Sequence, residues 1–136
     1  MRASAVCRSE GRVLLVRMKD PLTGLDLLFP PGGGIEANET PAETARRETL
    51  EETGVRVRID PSLAVTVRYP YAWAGVEYDV TTHYFAAKLD EPFRETLPRV
   101  VDAEYNLGAV WLPEADAEAR MAPVIAEAVA RVLRLA

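Results

Sequence analysis

Apolar positions along this chain follow two different periods. Ala3 to Arg8 and Val13-Leu14-Leu15-Val16 flank the Glu10-Gly11 pair, a pattern that predicts two strands joined by a short turn. A loop over Lys19 to Asp26 leads into Leu27-Leu28-Phe29, a short apolar run that ends at Pro30-Pro31. Val55 to Ile59 and Leu63 to Tyr69 read as two more strands. Glu77 to Lys88 alternates as one long strand with Tyr78, Val80, Thr82, Tyr84 and Ala86 on one face, and Val110-Trp111-Leu112 makes a short final strand. Met121, Val124, Ile125, Ala128, Val129 and Val132 then recur at helical spacing, so an amphipathic helix over about 116–134 closes the chain and packs on the sheet.

Helix signals are most complete between Thr40 and Gly54. Thr40 is a good N-cap, Pro41 takes the first helical position, Glu43 stands where a capping box needs it, and Gly54 supplies the stop, which predicts a helix over about 41–53. Just upstream, Gly32-Gly33-Gly34 leaves the backbone free to approach a ligand closely.

At 100° per residue, Glu48, Glu51 and Glu52 fall within about 100° of arc on that helix, while Ala42, Ala45, Thr49 and Thr53 occupy another arc suited to packing on a sheet. Three glutamates on a helix are, by themselves, an ordinary solvated face. Glu48 and Glu52 nevertheless repel at i,i+4, and Arg47 is placed to offset only Glu51. A hard divalent cation such as Mg²⁺ would convert that repulsion into binding, because it takes oxygen ligands and shares them with substrate phosphates.

Composition narrows the class. The chain has 136 residues, 49% of them apolar, enough for one substantial core and too few for two, so a single domain over 1–136 is expected. The formal charge of −5 and the scattered arginines argue against binding along a nucleic-acid backbone. No apolar run is long enough to span a membrane, and the first residues lack a signal-peptide pattern, so no membrane association and a cytoplasmic location are expected. Cys7 is the single cysteine, which rules out an intrachain disulfide and a cysteine zinc site and reads as a buried apolar filler.

Read from Gly33, the stretch GGIEANETPAETARRETLEETGV resembles the Nudix box: Gly33, Glu39, Arg47, Glu48, Glu51, Glu52, Gly54 and Val55 stand in its register. Seven exact matches in one register would arise by chance at roughly 10⁻⁸, so the motif displaces the solvated-face reading. Thr49 stands where an aliphatic residue is usual. The flanking elements also look like the Nudix fold, so the resemblance implies an α/β (α+β) protein, an α/β/α sandwich with a mixed central sheet. It also implies Mg²⁺ or Mn²⁺ on Glu48, Glu51 and Glu52 with the Gly32 carbonyl as a further ligand, Arg47 orienting the glutamates, and Glu39, Gly33 and Gly54 shaping the loop and the helix end. Family members often recruit another acid ahead of a tryptophan before the last strand; of Asp102 and Glu104, which precede Trp111, Glu104 is the choice. Water would attack phosphorus in a pyrophosphate, with Glu48 or Glu104 taking its proton.

Substrate choice rests on residues outside the box. Arg17 matches a position where family members contact phosphate, and Phe29, Tyr69, Tyr71, Trp73 and Tyr78 could stack on a base, with Phe29 and Tyr71 favoured for substrate binding. Pro70 resembles a marker of ADP-ribose pyrophosphatases, and Tyr71 lies close to a tyrosine marker of dinucleoside-polyphosphate hydrolases, so the two point in different directions. His83, without a second histidine in the chain, reads as packing rather than a ligand or base. The leading expectation is hydrolysis of a nucleoside diphosphate linked to another group, such as ADP-ribose or a related sugar nucleotide. A nucleoside-triphosphate or dinucleoside-polyphosphate pyrophosphohydrolase comes second. A non-catalytic ligand-binding regulator is the reading from another class. Many relatives are dimers, so a homodimer stands as an expectation.

Overall fold

The computed structural model describes residues 1–100 and 105–136. Glu10 and Gly11 form the expected turn, both at positive φ (54° and 71°), between β1 (Arg2–Ser9) and β2 (Arg12–Lys19). The two strands pair at the turn, Arg8 with Val13 and Ser9 with Arg12, and then diverge. A single segment serves both beyond that point: β3 (Asp26–Phe29) runs antiparallel to β2, and β4 (Gly32–Gly34) antiparallel to β1. Pro30 and Pro31 form the corner between them. Prolines lack an N–H to give a ladder, so one pairing ends here and the next begins. The Pro31 carbonyl still accepts the Ala5 N–H at 3.0 Å, which fastens the corner to β1.

Helix α1 (Pro41–Thr53) starts and stops as its sequence dictates. The Thr40 hydroxyl accepts the Glu43 N–H, the Glu43 carboxylate accepts the Thr40 N–H, and Gly54 closes the helix in the left-handed region at φ 72°. Thr49 fits because its hydroxyl donates to the Ala45 carbonyl at 2.6 Å, so a buried polar atom is satisfied within the helix.

β5 (Val57–Trp73) and β6 (Val76–Leu89) then form a long hairpin, turned at Ala74-Gly75 with φ of 52° and 80°, the positive pair that a tight hairpin turn requires. β5 replaces the two strands expected over 55–59 and 63–69. The ladder breaks between Asp60 and Ala64, where the Asp60 carboxylate takes both the N–H and the hydroxyl of Ser62 and lets Pro61-Ser62-Leu63 loop out; pairing resumes at Ala64. β6 runs parallel to β1, from Arg2 with Thr82 to Cys7 with Ala87. The hairpin beyond Thr82 therefore overhangs the end of β1.

β7 (Asn106–Pro113) pairs antiparallel with β2, and two helices follow, α2 (Glu114–Arg120) and α3 (Pro123–Leu135). The single closing helix expected over 116–134 is thus interrupted. Pro123 excludes helical backbone at Ala122, which is extended at ψ 140°, and the chain restarts with proline at the first helical position.

Strand alternation sorts the core into two layers, an α/β/α arrangement. Ala3, Ala5, Cys7, Phe85 and Ala87 face α1 and meet Ala45. Val6, Val65, Tyr84 and Ala86 face the opposite way, against Ile125, Val129 and Val132 of α3. No helix among the described residues is long and apolar enough to cross a membrane.

Candidate active site

Where β1 and β2 splay apart, the C-terminal half of α1 and the glycine strand β4 border a cleft of about 770 Å³. The cleft is lined by Gly32, Gly33 and Gly34, by Glu48, Glu51 and Glu52, and on the far side by aromatic rings. Two glycines are required by what stands next to them. A Cβ on Gly33 would sit 2.4 Å from the carboxyl carbon of Glu48, and one on Gly32 would sit 2.1 Å from the Ser4 hydroxyl and 2.5 Å from the Ala3 carbonyl. The bare strand therefore allows the helix carboxylates to come close to the backbone.

Arg47 ties these carboxylates together. Its Nε donates to Glu39 Oε2 at 2.6 Å and its Nη2 to Glu39 Oε1 at 2.9 Å, a bidentate fork. Nη1 is left to reach Glu48 Oε1 at 3.0 Å and Glu51 Oε2 at 3.2 Å. Glu39 also accepts the Thr44 hydroxyl at 2.8 Å and the Glu36 N–H at 3.3 Å. The hydrogen bonds from Arg47 dominate and, with these smaller contributions, outweigh desolvation to hold the Glu39 carboxyl down at about 2. The same pairing pushes the already high pKa of Arg47 further up.

Glu52 is buried and accepts the Gly32 N–H at 2.7 Å, joining the helix to β4. From β7, the buried Asn106 donates to the Glu52 backbone carbonyl at 3.2 Å and accepts the Gly108 N–H at 2.8 Å. Sequence reading missed Asn106; nothing in its local pattern ties it to a helix 54 residues earlier in the chain.

Among the described residues, no group of three or more acidic, histidine or cysteine side chains is already drawn up around one metal position. The donor set still fits a hard divalent cation: three carboxylates within about one turn of α1 border one cleft, and the backbone beside them is cleared at Gly33. Glu51 has the most exposed of these side chains, at 48% against 19% for Glu48, and forms the outer edge.

The aromatic side comes from the overhanging hairpin together with Phe29 at the end of β3 and Tyr105. Phe29 meets Tyr71 edge to face at 5.8 Å, Tyr71 meets Tyr69 at 6.4 Å, and Trp73 meets Tyr105 at 5.6 Å. Phe29 and Tyr71 line the cleft, together with Tyr69, Trp73 and Tyr78. Burial first, then the neighbouring Tyr69 and Asp20, push the Tyr71 phenol up to about 12, so it stays protonated. Arg17 lies elsewhere. It is absent from the cleft lining and pairs with Asp26 across the β2–β3 ladder at 3.0 Å, because its strand position points it to the solvent side. His83, bonded to Thr66 at 2.7 Å, also lies off the cleft, and Glu104 falls outside the described residues.

A NUDIX domain family model matches residues 2–132, nearly the whole chain. The chain belongs to the Nudix hydrolase family. A MutT-like protein of Streptomyces ambofaciens is 45% identical over 58 residues, a stretch that covers 43% of this chain and 35% of that relative. Solved Nudix structures extend the likeness to the whole fold. A Nudix hydrolase from Nitrosomonas europaea superposes with a TM-score of 0.71 at 21% identity, covering 98% of this chain and 87% of its own. A C. elegans Ap4A hydrolase does so at 0.72 and 20%, covering 98% and 94%. The E. coli dihydroneopterin triphosphate pyrophosphohydrolase reaches 0.72 at 19%, with the same coverage of 98% and 94%. Nudix hydrolases generally need divalent metal ions.

Proposed function

We propose that this chain hydrolyses the phosphoanhydride bond of a nucleoside diphosphate linked to another moiety, such as ADP-ribose or a related sugar nucleotide, with Mg²⁺ or Mn²⁺. The observation that carries this reading is the cleft itself, which sets Glu48, Glu51 and Glu52 at one end and Phe29, Tyr69 and Tyr71 at the other. One end suits a metal-bridged diphosphate, and the other suits a base or sugar face.

When bound, the cation supplies charge neutralisation on the phosphate oxygens and lowers the pKa of water. Glu48, Glu51 and Glu52 hold it, with the Gly32 carbonyl as the backbone ligand. Arg47 fixes where Glu48 and Glu51 point and is itself fixed by Glu39. Water adds to phosphorus, the bond from phosphorus to the bridging oxygen breaks, and the proton of the water passes to Glu48 or Glu104. The aromatic side orients the organic group and excludes water from it.

The diphosphate is preferred over a polyphosphate on grounds of charge. Among the described residues lining the cleft, Arg2 has the only cationic side chain, against the carboxylates of Glu48, Glu51, Glu52 and Asp79. A triphosphate or longer chain would bring more negative charge than this lining offsets. The deciding experiment is a screen of nucleotide sugars, nucleoside triphosphates and dinucleoside polyphosphates with Mg²⁺ and with Mn²⁺, reading phosphate released after phosphatase coupling. Turnover of ADP-ribose or a sugar nucleotide ahead of the triphosphates is expected. No hydrolysis of any such compound with either metal would overturn the assignment.

A further inference from the structure

The geometry points to Arg2 as the residue that binds the substrate phosphate lying between the metal end and the aromatic end of the cleft, an inference that rests on the diphosphate reading above. The backbone of Arg2 is held on both sides, by pairing with Gly34 of β4 and with Thr82 of β6, and the Ile35 N–H donates to the Met1 carbonyl beside it at 3.1 Å. Strand alternation puts Arg2 on the same face as Ser4, and both line the cleft, while Ala3 and Ala5 turn into the α1 layer. Its row across the sheet runs from Gly34, which has no side chain, through Arg2 to Thr82, between the glycine strand and the start of the aromatic overhang.

Arg47, the arginine nearest the carboxylates in sequence, is committed to Glu39, Glu48 and Glu51. Arg17 and Arg68 are committed to Asp26 and Asp79. The Arg2 side chain makes no hydrogen bond or ion pair to any described residue, and the residue is exposed. Its charge nevertheless reaches the Tyr71 and Tyr84 hydroxyls, where it works against the rise that burial causes in both. A guanidinium on a fixed strand, facing an open cleft and close to two protonated phenols, presents a planar set of donors matched to phosphate oxygens.

The test separates phosphate binding from hydrolysis. Isothermal titration of adenosine 5′-monophosphate and of adenosine, both in EDTA at low ionic strength, is carried out on the full chain and on its Arg2→Ala and Arg2→Lys variants. Arg2→Ala should weaken the monophosphate about tenfold or more, remove most of the salt dependence of its binding, and leave adenosine unchanged; Arg2→Lys should fall between, keeping the charge and losing the fork. In turnover, Arg2→Ala should raise KM by a similar factor with kcat altered less than about threefold, the signature of binding made equally in ground and transition states. Because Arg2 is exposed, the variants should keep the melting temperature of the parent, which checks folding. Equal monophosphate affinity in parent and Arg2→Ala, or a loss of adenosine binding as large as that of the monophosphate, would overturn the inference. Failure of the parent to hydrolyse any diphosphate, with the monophosphate difference intact, would overturn the catalytic reading and leave Arg2 as a phosphate ligand.

Discussion

Arg47 gives two of its three donor positions to Glu39, at 2.6 and 2.9 Å, and only through that fork does its third nitrogen stand between Glu48 and Glu51. Glu39 lies before the helix and outside the cleft lining, yet it sets the position of two of the carboxylates proposed to hold the metal. Glu39→Gln keeps the size and loses the charge that holds the fork. Turnover or metal affinity should fall roughly 10- to 100-fold, as is typical when a ligand's supporting partner is removed. Titrating Mg²⁺ into the rate assay checks this, and a variant with unchanged metal dependence would remove Glu39 from the positioning role.

The same residue ties stability to acidity. Its folded pKa, about 2, lies below the ordinary value of 4.5. A depressed carboxylate contributes stability that is present above the unfolded pKa and is lost as pH falls through the folded one. The chain should therefore lose a contribution from Glu39 between about pH 4.5 and pH 2. Thermal melts of the parent and of Glu39→Gln should differ most near neutral pH and converge toward pH 2. A constant difference across that range would show that the Arg47 fork does not govern this titration.

Gly32 and Gly33 are neighbours with opposite expectations. A methyl on Gly33 meets the far end of the Glu48 side chain, whereas a methyl on Gly32 meets the Ala3 carbonyl and the Ser4 Cα, which are backbone. Gly33→Ala should fold and lose activity, by about 100-fold or more if Glu48 is displaced as a metal ligand. Gly32→Ala should instead lose stability, by roughly 1–3 kcal/mol from overpacking. Melting temperature and kcat measured on both separate the two effects. A stable, active Gly33→Ala would mean that Glu48 does not need the cleared backbone.

Much of this site could be read from the sequence because its parts are local. Thr40, Pro41, Glu43 and Gly54 mark a helix within fifteen residues, and the spacing from Arg47 to Glu52 gives the face that carries the charge. What could not be read depends on register between distant strands. Arg2 is an ordinary arginine until pairing with Gly34 and Thr82 sets it across the cleft, and Arg17 looks equally suitable until the β2–β3 ladder turns it toward Asp26. Tyr71 and Trp73 enter the cleft because the hairpin outruns β1, a length that the Pro61 loop-out conceals in the sequence. The helix break at Ala122 was legible in Pro123, but the apolar stripe runs on through it and masks the interruption.

Glu52→Gln discriminates between enzyme and regulator. A glutamine can turn its carbonyl toward Gly32, so the 2.7 Å contact from the Gly32 N–H can survive while the charge is lost. The fold should therefore persist, and turnover should drop on the order of a thousandfold through loss of a metal ligand. A ligand-binding regulator would keep its affinity for nucleotide and its cellular role in this variant. Pairing kcat with nucleotide affinity on one preparation distinguishes the two.

Metal should also act on stability without any substrate. Glu48 and Glu52 repel at one-turn spacing, Glu51 adds a third charge, and Arg47 offsets them only in part, so the metal-free helix carries a cost that a bound cation removes. Binding to the folded state alone stabilises by about 2.7 kcal/mol at a hundredfold excess over Kd, which for a chain of this size moves the melting temperature on the order of 10 °C. Melts in EDTA and in saturating Mg²⁺ or Mn²⁺ should show that rise in the parent and little of it in Glu52→Gln or Glu51→Gln. Identical melts of the parent with and without metal would mean that these three carboxylates hold no cation in the absence of substrate, since any occupied site on the folded state alone stabilises it.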